Sequence, residues 1–146
     1  MLSRQASHAL KALLELAGAP GQWRSTQQLA SSQRLPEAML EQLLLRLRRA
    51  GLLQARRGRH GGYRLAEPAA AISLAAVLAG LGESSRDGGN GEPGGGTPAD
   101  QVTGALQRRL ERAREQALAA LSLEDLLFDL RSAEASADSG AGLLLG

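Results

Sequence analysis

The sequence predicts a mainly α fold with a small β-hairpin wing: a winged helix–turn–helix domain followed by a long C-terminal dimerisation helix. Three observations carry that prediction. Apolar residues recur at three- and four-residue steps along most of the chain. The periodicity breaks over residues 52–65, where two short runs flank Arg57-Gly58-Arg59-His60-Gly61-Gly62. Aromatic residues are only 2% of the chain (Trp23, Tyr63 and Phe128), so the core must be Leu and Ala, which favours helices over strands.

Ser3 can cap a first helix whose apolar face is Ala6, Ala9, Leu10, Leu13, Leu14 and Ala17; Gly18 and Pro20-Gly21 end it. Ser25 and Gln28 have the spacing of a capping box and start a short helix over about 26–32. The polar stretch from Ser31 to Leu35 reads as a turn. Pro36 then suits a first helical position, with Glu37 favoured by the positive end of the helix dipole. Met39, Leu40, Leu43, Leu44 and Leu47 form one stripe, and Gly51 stops the helix. Two helices joined by a brief turn make a helix–turn–helix. Leu52–Arg56 and Tyr63–Leu65 follow as the strands of a hairpin with a basic, glycine-containing tip.

Ser73 caps another helix running to about Leu81, with Ile72 and Val77 in staple positions. Residues 82–97 are glycine-rich and read as a flexible loop. No strand precedes that loop and no Gly-Lys-Ser/Thr ends it, which argues against a phosphate-binding role. Thr97, Pro98 and Asp100 restart a helix. In it Val102, Leu106, Leu110, Ala113, Ala117 and Leu121 are spaced 4, 4, 3, 4 and 4, close to a heptad seam. A long helix with a single stripe needs a covering surface, supplied by a second copy or by the chain's own core. Ser122 caps a last helix with Leu123, Leu126, Leu127 and Leu130 on one face. The organisation is therefore a winged helix–turn–helix domain over 1–81, the loop over 82–97, dimerisation helices over 98–131 and a disordered tail over 132–146.

Composition excludes several functions. There is no cysteine, so disulfides, thiolate nucleophiles and cysteine-held zinc or iron–sulfur clusters are ruled out. His8 and His60 lie on different elements, and no carboxylate pair marks a pocket. The chain reads as no enzyme, with no catalytic residues, metal or cofactor. No apolar run is long enough to span a membrane and no export signal opens the chain, which predicts a cytoplasmic protein.

The net charge of +2 is unevenly distributed. Residues 42–66 hold Arg46, Arg48, Arg49, Arg56, Arg57, Arg59 and Arg64 with no acid, whereas residues 67–146 hold six basic and twelve acidic side chains. Concentrated positive charge marks a polyanion binder, although a merely solvated helix face would also produce it. The apolar stripe of the third helix predicts that Glu37, Ala38, Glu41, Gln42 and Arg46 point away from the core. Gln42 suits an adenine edge, Glu41 can accept from cytosine, and Arg46 can take a phosphate or guanine. Arg57, Arg59 and His60 at the hairpin tip suit the DNA backbone or a narrow minor groove, and the backbone amides near Thr26 suit a phosphate.

These residues also carry a resemblance. Leu2-Ser3 with His8-Ala9-Leu10, the run Leu40-Glu41-Gln42-Leu43 through Arg46-Leu47 to Gly51-Leu52, and Arg57-Gly58 with Gly61-Gly62-Tyr63 resemble the Rrf-two (BadM/IscR/CymR-type) family of bacterial regulators. Ser122-Leu123-Glu124-Asp125-Leu126-Leu127 resembles the start of that family's last helix, and the similarity spans about residues 1–130. It implies a homodimeric transcription regulator on a palindromic operator in double-stranded DNA, with contacts from Glu41, Gln42 and Arg57. It also implies dimerisation through the helix that starts near Pro98. Cluster-bearing members place three cysteines in the loop that reads Asp87 to Asp100 in this chain, and Gly104 stands near a further ligand position. This chain departs from that pattern, so the resemblance implies a signal from a small-molecule effector or a partner protein instead. The alternative is a winged-helix protein–protein interaction module that has lost DNA binding.

Overall fold

The structure is a computed structural model that describes residues 2–83 and 96–145, with backbone alone for 139–145. Among the described residues, hydroxyl side chains start five of the six α-helices. Ser3 Oγ accepts from the Ala6 amide at 3.0 Å to open α1 (Arg4–Gly18). Ser25 and Gln28 form a reciprocal capping box on α2 (Thr26–Gln33). Ser73, Thr97 and Ser122 cap α4 (Leu74–Gly80), α5 (Pro98–Ala120) and α6 (Leu123–Leu145) in the same way. Only α3 (Glu37–Arg49) lacks a side-chain cap; Pro36 sits just outside the helix, one position earlier than expected.

Turn geometry sets the angle between α2 and α3. Arg34 takes a left-handed conformation (φ 56°), and the Leu35 amide donates back to the Ala30 carbonyl at 2.9 Å. That closes α2 with a Schellman-type pattern and turns Leu35 onto the core. After α3, strands β1 (Leu53–Arg56) and β2 (Gly62–Leu65) pair antiparallel with Leu53 opposite Leu65 and Ala55 opposite Tyr63. A third backbone segment joins the hairpin: Arg24 and Tyr63 exchange two hydrogen bonds of 3.0 and 2.8 Å.

The core is aliphatic. Leu13, Leu16, Leu29, Leu40, Leu43, Leu44, Leu47, Ile72, Val77 and Leu123 are fully buried, and Tyr63 is the one aromatic among the buried residues described. The joint between α5 and α6 is pinned to the start of α4: Leu74 donates to the Leu121 carbonyl at 2.9 Å, and Leu123 to the Ile72 carbonyl at 3.0 Å. Leu123 and Leu127 then dock α6 onto α1.

Two expectations about the C-terminal third meet different outcomes. The long helix packs its Glu111, Arg114 and Leu118 side toward its own chain, where α5 lies on α4. The heptad-like stripe faces outward, with Val102, Leu106, Leu110 and Leu121 at 70, 53, 62 and 41% exposure. Residues 132–145, expected to be a disordered tail, instead continue α6 to Leu145. The physical reason is that extending an existing helix needs no new nucleus, and no proline interrupts this Ala-rich stretch. The glycine-rich loop predicted over 82–97 falls mostly on 84–95, outside the described residues.

Truncating Leu123 tests the docking of α6. Its side chain is 0% exposed, so Leu123→Ala should lower the unfolding free energy by about 2–5 kcal/mol in urea titrations. A loss below about 1 kcal/mol would mean that α6 is not part of the cooperative core.

Candidate nucleic-acid interface

Because α3 buries Leu40, Leu43, Leu44 and Leu47, its other face is dictated by the helical period. Glu37, Ala38, Gln42 and Arg46 lie there and are exposed, as predicted. Glu41 does not fit that description. It is half-buried, and its carboxylate accepts from two hydroxyls: Thr26 Oγ1 at Oε2, and Tyr63 Oη at Oε1 at 3.1 Å. The expectation that Glu41 projects freely toward a base edge is therefore corrected. Its two oxygens tie together α2, α3 and β2.

The tyrosine responds to the same contact. Burial, the hydrogen bond to Glu41 and the carboxylate's negative charge push the Tyr63 hydroxyl up to about 12, with Arg48 opposing them. Thr26 is only 8% exposed and its hydroxyl is spent on Glu41. What it leaves for a phosphate is backbone: the Gln28 amide is capped by Ser25, while the Thr26 and Gln27 amides lie in a helical first turn, without an intrahelical acceptor.

The hairpin is built around its glycines and around Trp23. A Cβ on Gly61 would lie 2.0 Å from the Arg56 carbonyl oxygen, and one on Gly62 (φ 139°) 2.3 Å from that of Arg24. Only glycine lets the three backbone segments approach this closely. On the outer face of the strands, Arg56 and Arg64 lie over the Trp23 ring, 4.7 and 4.3 Å from its centroid. Arg56 also donates to the His60 carbonyl at 2.7 Å, and Arg64 Nε to Gln54 at 2.9 Å.

Two of the seven arginines in the basic block are thus structural. Arg57, Arg59 and His60 remain exposed at the tip. A cleft of about 390 Å³ separates the hairpin from α3, and Arg48, Arg56 and Arg57 line it opposite Glu41 and Tyr63. Sequence reasoning missed Trp23, Tyr63 and Arg48 as parts of this surface. The alternation of β2 could have placed Tyr63 inward, but its partner lies 22 positions away. An exposed helix of 13 residues beside a basic hairpin is dimensioned for a DNA major groove about 12 Å wide and the adjoining backbone.

Comparisons with known proteins converge on one family. A profile of the Rrf2 (Rrf-two) family, described as iron-dependent transcriptional regulators, matches residues 2–129. An HTH-type transcriptional regulator of Synechocystis sp. is 36% identical over 145 residues, covering 99% of each chain. IscR of Cereibacter sphaeroides is 36% identical over 112 residues, 72% of each chain. Among solved structures, T. potens IscR superposes with a TM-score of 0.74 at 28% identity, covering 91% of this chain and 90% of that one. CymR, the global cysteine regulator of B. subtilis, superposes with 0.72 at 31% identity, covering 87% and 95%. The iron in the family's description finds no fitting ligands: the sequence has no cysteine, and no group of three His, Asp or Glu is gathered among the described residues.

Tyr63 is the only tyrosine, so phenolate absorbance reports on this one hydroxyl, held by burial and by Glu41. A native value near 12 against an ordinary 10 means the folded state holds this proton more tightly. The stabilisation that goes with the shift, from burial and the Glu41 contact together, is complete below about pH 10 and is lost as pH rises toward about 12. Spectrophotometric titration should give a native midpoint well above the denatured one, and Tyr63→Phe should flatten the alkaline loss of stability. Coincident native and denatured midpoints would dismiss the contact.

Proposed function

The chain belongs to the Rrf2 family of DNA-binding transcription regulators, and from that premise we propose that it is a homodimeric, sequence-specific repressor of a palindromic operator that works without an iron–sulfur cluster. Its relatives are regulators and not enzymes. The observation that carries the reading is the convergence of an acid-free run of seven arginines onto α3 and the hairpin, beside an exposed Gln42 and Arg46.

In this reading α3 enters the major groove. Gln42 meets a base edge, Arg46 a phosphate or guanine, and Ala38 a thymine methyl, with Glu37 beside it at the helix start. Arg57, Arg59 and His60 follow the backbone into the neighbouring minor groove, and the amides at Thr26 receive a phosphate. Glu41 acts through the hairpin that it holds in place. Repression by occupancy requires nothing beyond the DNA-bound dimer, and the signal is a small metabolite or a partner protein.

The dimer rests on α5. Val102, Leu106, Leu110, Ala113 and Ala117, with Leu121 at the helix's C-cap, form an exposed, largely aliphatic stripe along most of α5. A two-fold axis lays that stripe on its own copy and presents two α3 helices in opposite senses, the symmetry of a palindrome. Phe128, 71% exposed on α6, is a further exposed apolar side chain that was not anticipated from the sequence.

Binding-site selection from a random DNA pool, followed by titration over salt, tests the DNA reading. The logarithm of affinity should fall against that of salt by about 0.9 per phosphate contact. Arg57→Ala should weaken all sequences alike and reduce that slope by about one, while Gln42→Ala should cost about 1–3 kcal/mol of discrimination at one position. Unchanged discrimination in both Gln42→Ala and Arg46→Ala would refute α3 as the reading element. Sedimentation tests the assembly separately: the wild type should run as a dimer and Leu106→Glu with Leu110→Glu as a monomer. A dimer that survives both changes would place the interface elsewhere.

A further inference from the structure

We infer that the cleft between α1, α2 and α6 is an effector site for a small organic carboxylate with a short apolar body; the effector role rests on the reading of this protein as a DNA-binding regulator. The cleft encloses about 640 Å³, the size of a small-molecule site. Four cations from four separate segments line it: Lys11 of α1, Arg24 of the loop before α2, Arg34 of the turn after it, and Arg131 of α6. Of the facing acids, Glu15 is already engaged by Ser32 and, at 2.8 Å, by Gln33. Glu134 sits on the exposed rim.

Arg24 points to a missing acceptor. Arg24 Nε is buried with no hydrogen-bond partner, and the same guanidinium makes only a long 3.3 Å contact from Nη2 to Gln22. A buried N–H in that state is destabilising until an acceptor arrives, and a carboxylate matches the guanidinium fork with two parallel bonds. Leu14, Leu127 and Leu130 supply an apolar wall beside the four cations. A carboxylate with a hydrocarbon body satisfies both surfaces; a bare inorganic anion satisfies one.

The site is wired to the DNA-binding face by backbone. Arg24 exchanges two hydrogen bonds with Tyr63, and the Tyr63 hydroxyl donates to Glu41 on α3. Arg34 closes the turn that sets α3 against α2. A ligand drawn between Arg24, Arg34 and Arg131 therefore pulls on both junctions that orient α3 and the hairpin. Its occupancy changes operator affinity by as much as it distinguishes the two arrangements.

The test is calorimetry on the full chain with straight-chain carboxylates from acetate to octanoate, with sulfate as the inorganic control. Binding should be saturable, strengthen with chain length, exceed that of sulfate, and weaken about tenfold in Arg24→Gln and in the exposed-site variant Arg131→Gln. The tightest carboxylate should then change wild-type operator affinity about fivefold or more, an effect lost in both variants. The inference is overturned by absent saturable binding, by equal binding of sulfate, by binding unchanged in both variants, or by binding that leaves operator affinity untouched. If the chain binds no DNA in any condition, the regulatory reading fails, and the calorimetry alone decides whether the cleft holds a carboxylate.

Discussion

A carboxylate withdrawn from water between three elements must find donors, and the half-buried Glu41 finds them in Thr26 and Tyr63. The half of the structure that holds α2, α3 and the hairpin depends on that contact. Neither the two-stranded hairpin nor the short α2 has enough buried apolar surface to set its own orientation relative to α3. Glu41 supplies the orientation from α3 itself, and Tyr63 passes it through the sheet to Arg24. A small winged domain with an aliphatic core thus uses one polar contact where a larger one would use a second hydrophobic layer. The arrangement places a negative group at the centre of a basic surface, which is tolerable because its charge is already answered by hydroxyls within the chain.

The basic block divides its labour along the same line. Arg56 and Arg64 are used on Trp23, where a planar cation stacks on an aromatic ring and stiffens the strands. Arg57 and Arg59 stand on the tip beyond that clamp. In the proposed DNA complex, a hairpin clamped at its base leaves only its tip to be ordered along a phosphate backbone, which lowers the ordering cost. A lysine-rich hairpin would provide the charge without the clamp, because an ammonium group does not stack on an aromatic face as a guanidinium does.

What was legible in the sequence is what is local. Hydroxyl caps at Ser3, Ser25, Ser73, Thr97 and Ser122, the apolar stripe of α3, and the glycines around residues 58–62 each act within a few positions, and they place the helices, the hairpin and the exposed Gln42 and Arg46. The pairings that finish the site are not local. Tyr63 reaches back 22 positions to Glu41, and Arg64 reaches Trp23 across the whole of α2 and α3. Periodicity marked Glu41 as outward because a helical wheel treats everything off the apolar stripe as solvent. A neighbouring hairpin makes part of that arc interior. The C-terminal stretch failed for a different reason: its composition is weak for starting a helix, but α6 is already nucleated at Ser122 and needs only to be extended.

The absence of cysteine and the charged cleft bear on one question, which is how a regulator of this family can be switched without a metal cluster. A cluster would act through rigid covalent ligation of one loop. In the proposed reading the signal is a small molecule or a partner protein, carried by contacts that are individually weak, so it acts where small displacements matter most. In this chain that place is the segment from Arg24 to Arg34. One end of α2 is paired to the hairpin through Arg24, and the other is turned into α3 through the left-handed Arg34. Both ends carry guanidinium groups on the side away from the DNA-facing surface, lining the cleft toward α6. A ligand of modest affinity at that position gains leverage from the short, polar α2, because moving an eight-residue helix disturbs little of the core. A sensor on a short helix tied at one end to the hairpin and at the other to α3 lets a non-covalent signal compete with the packing that holds the fold.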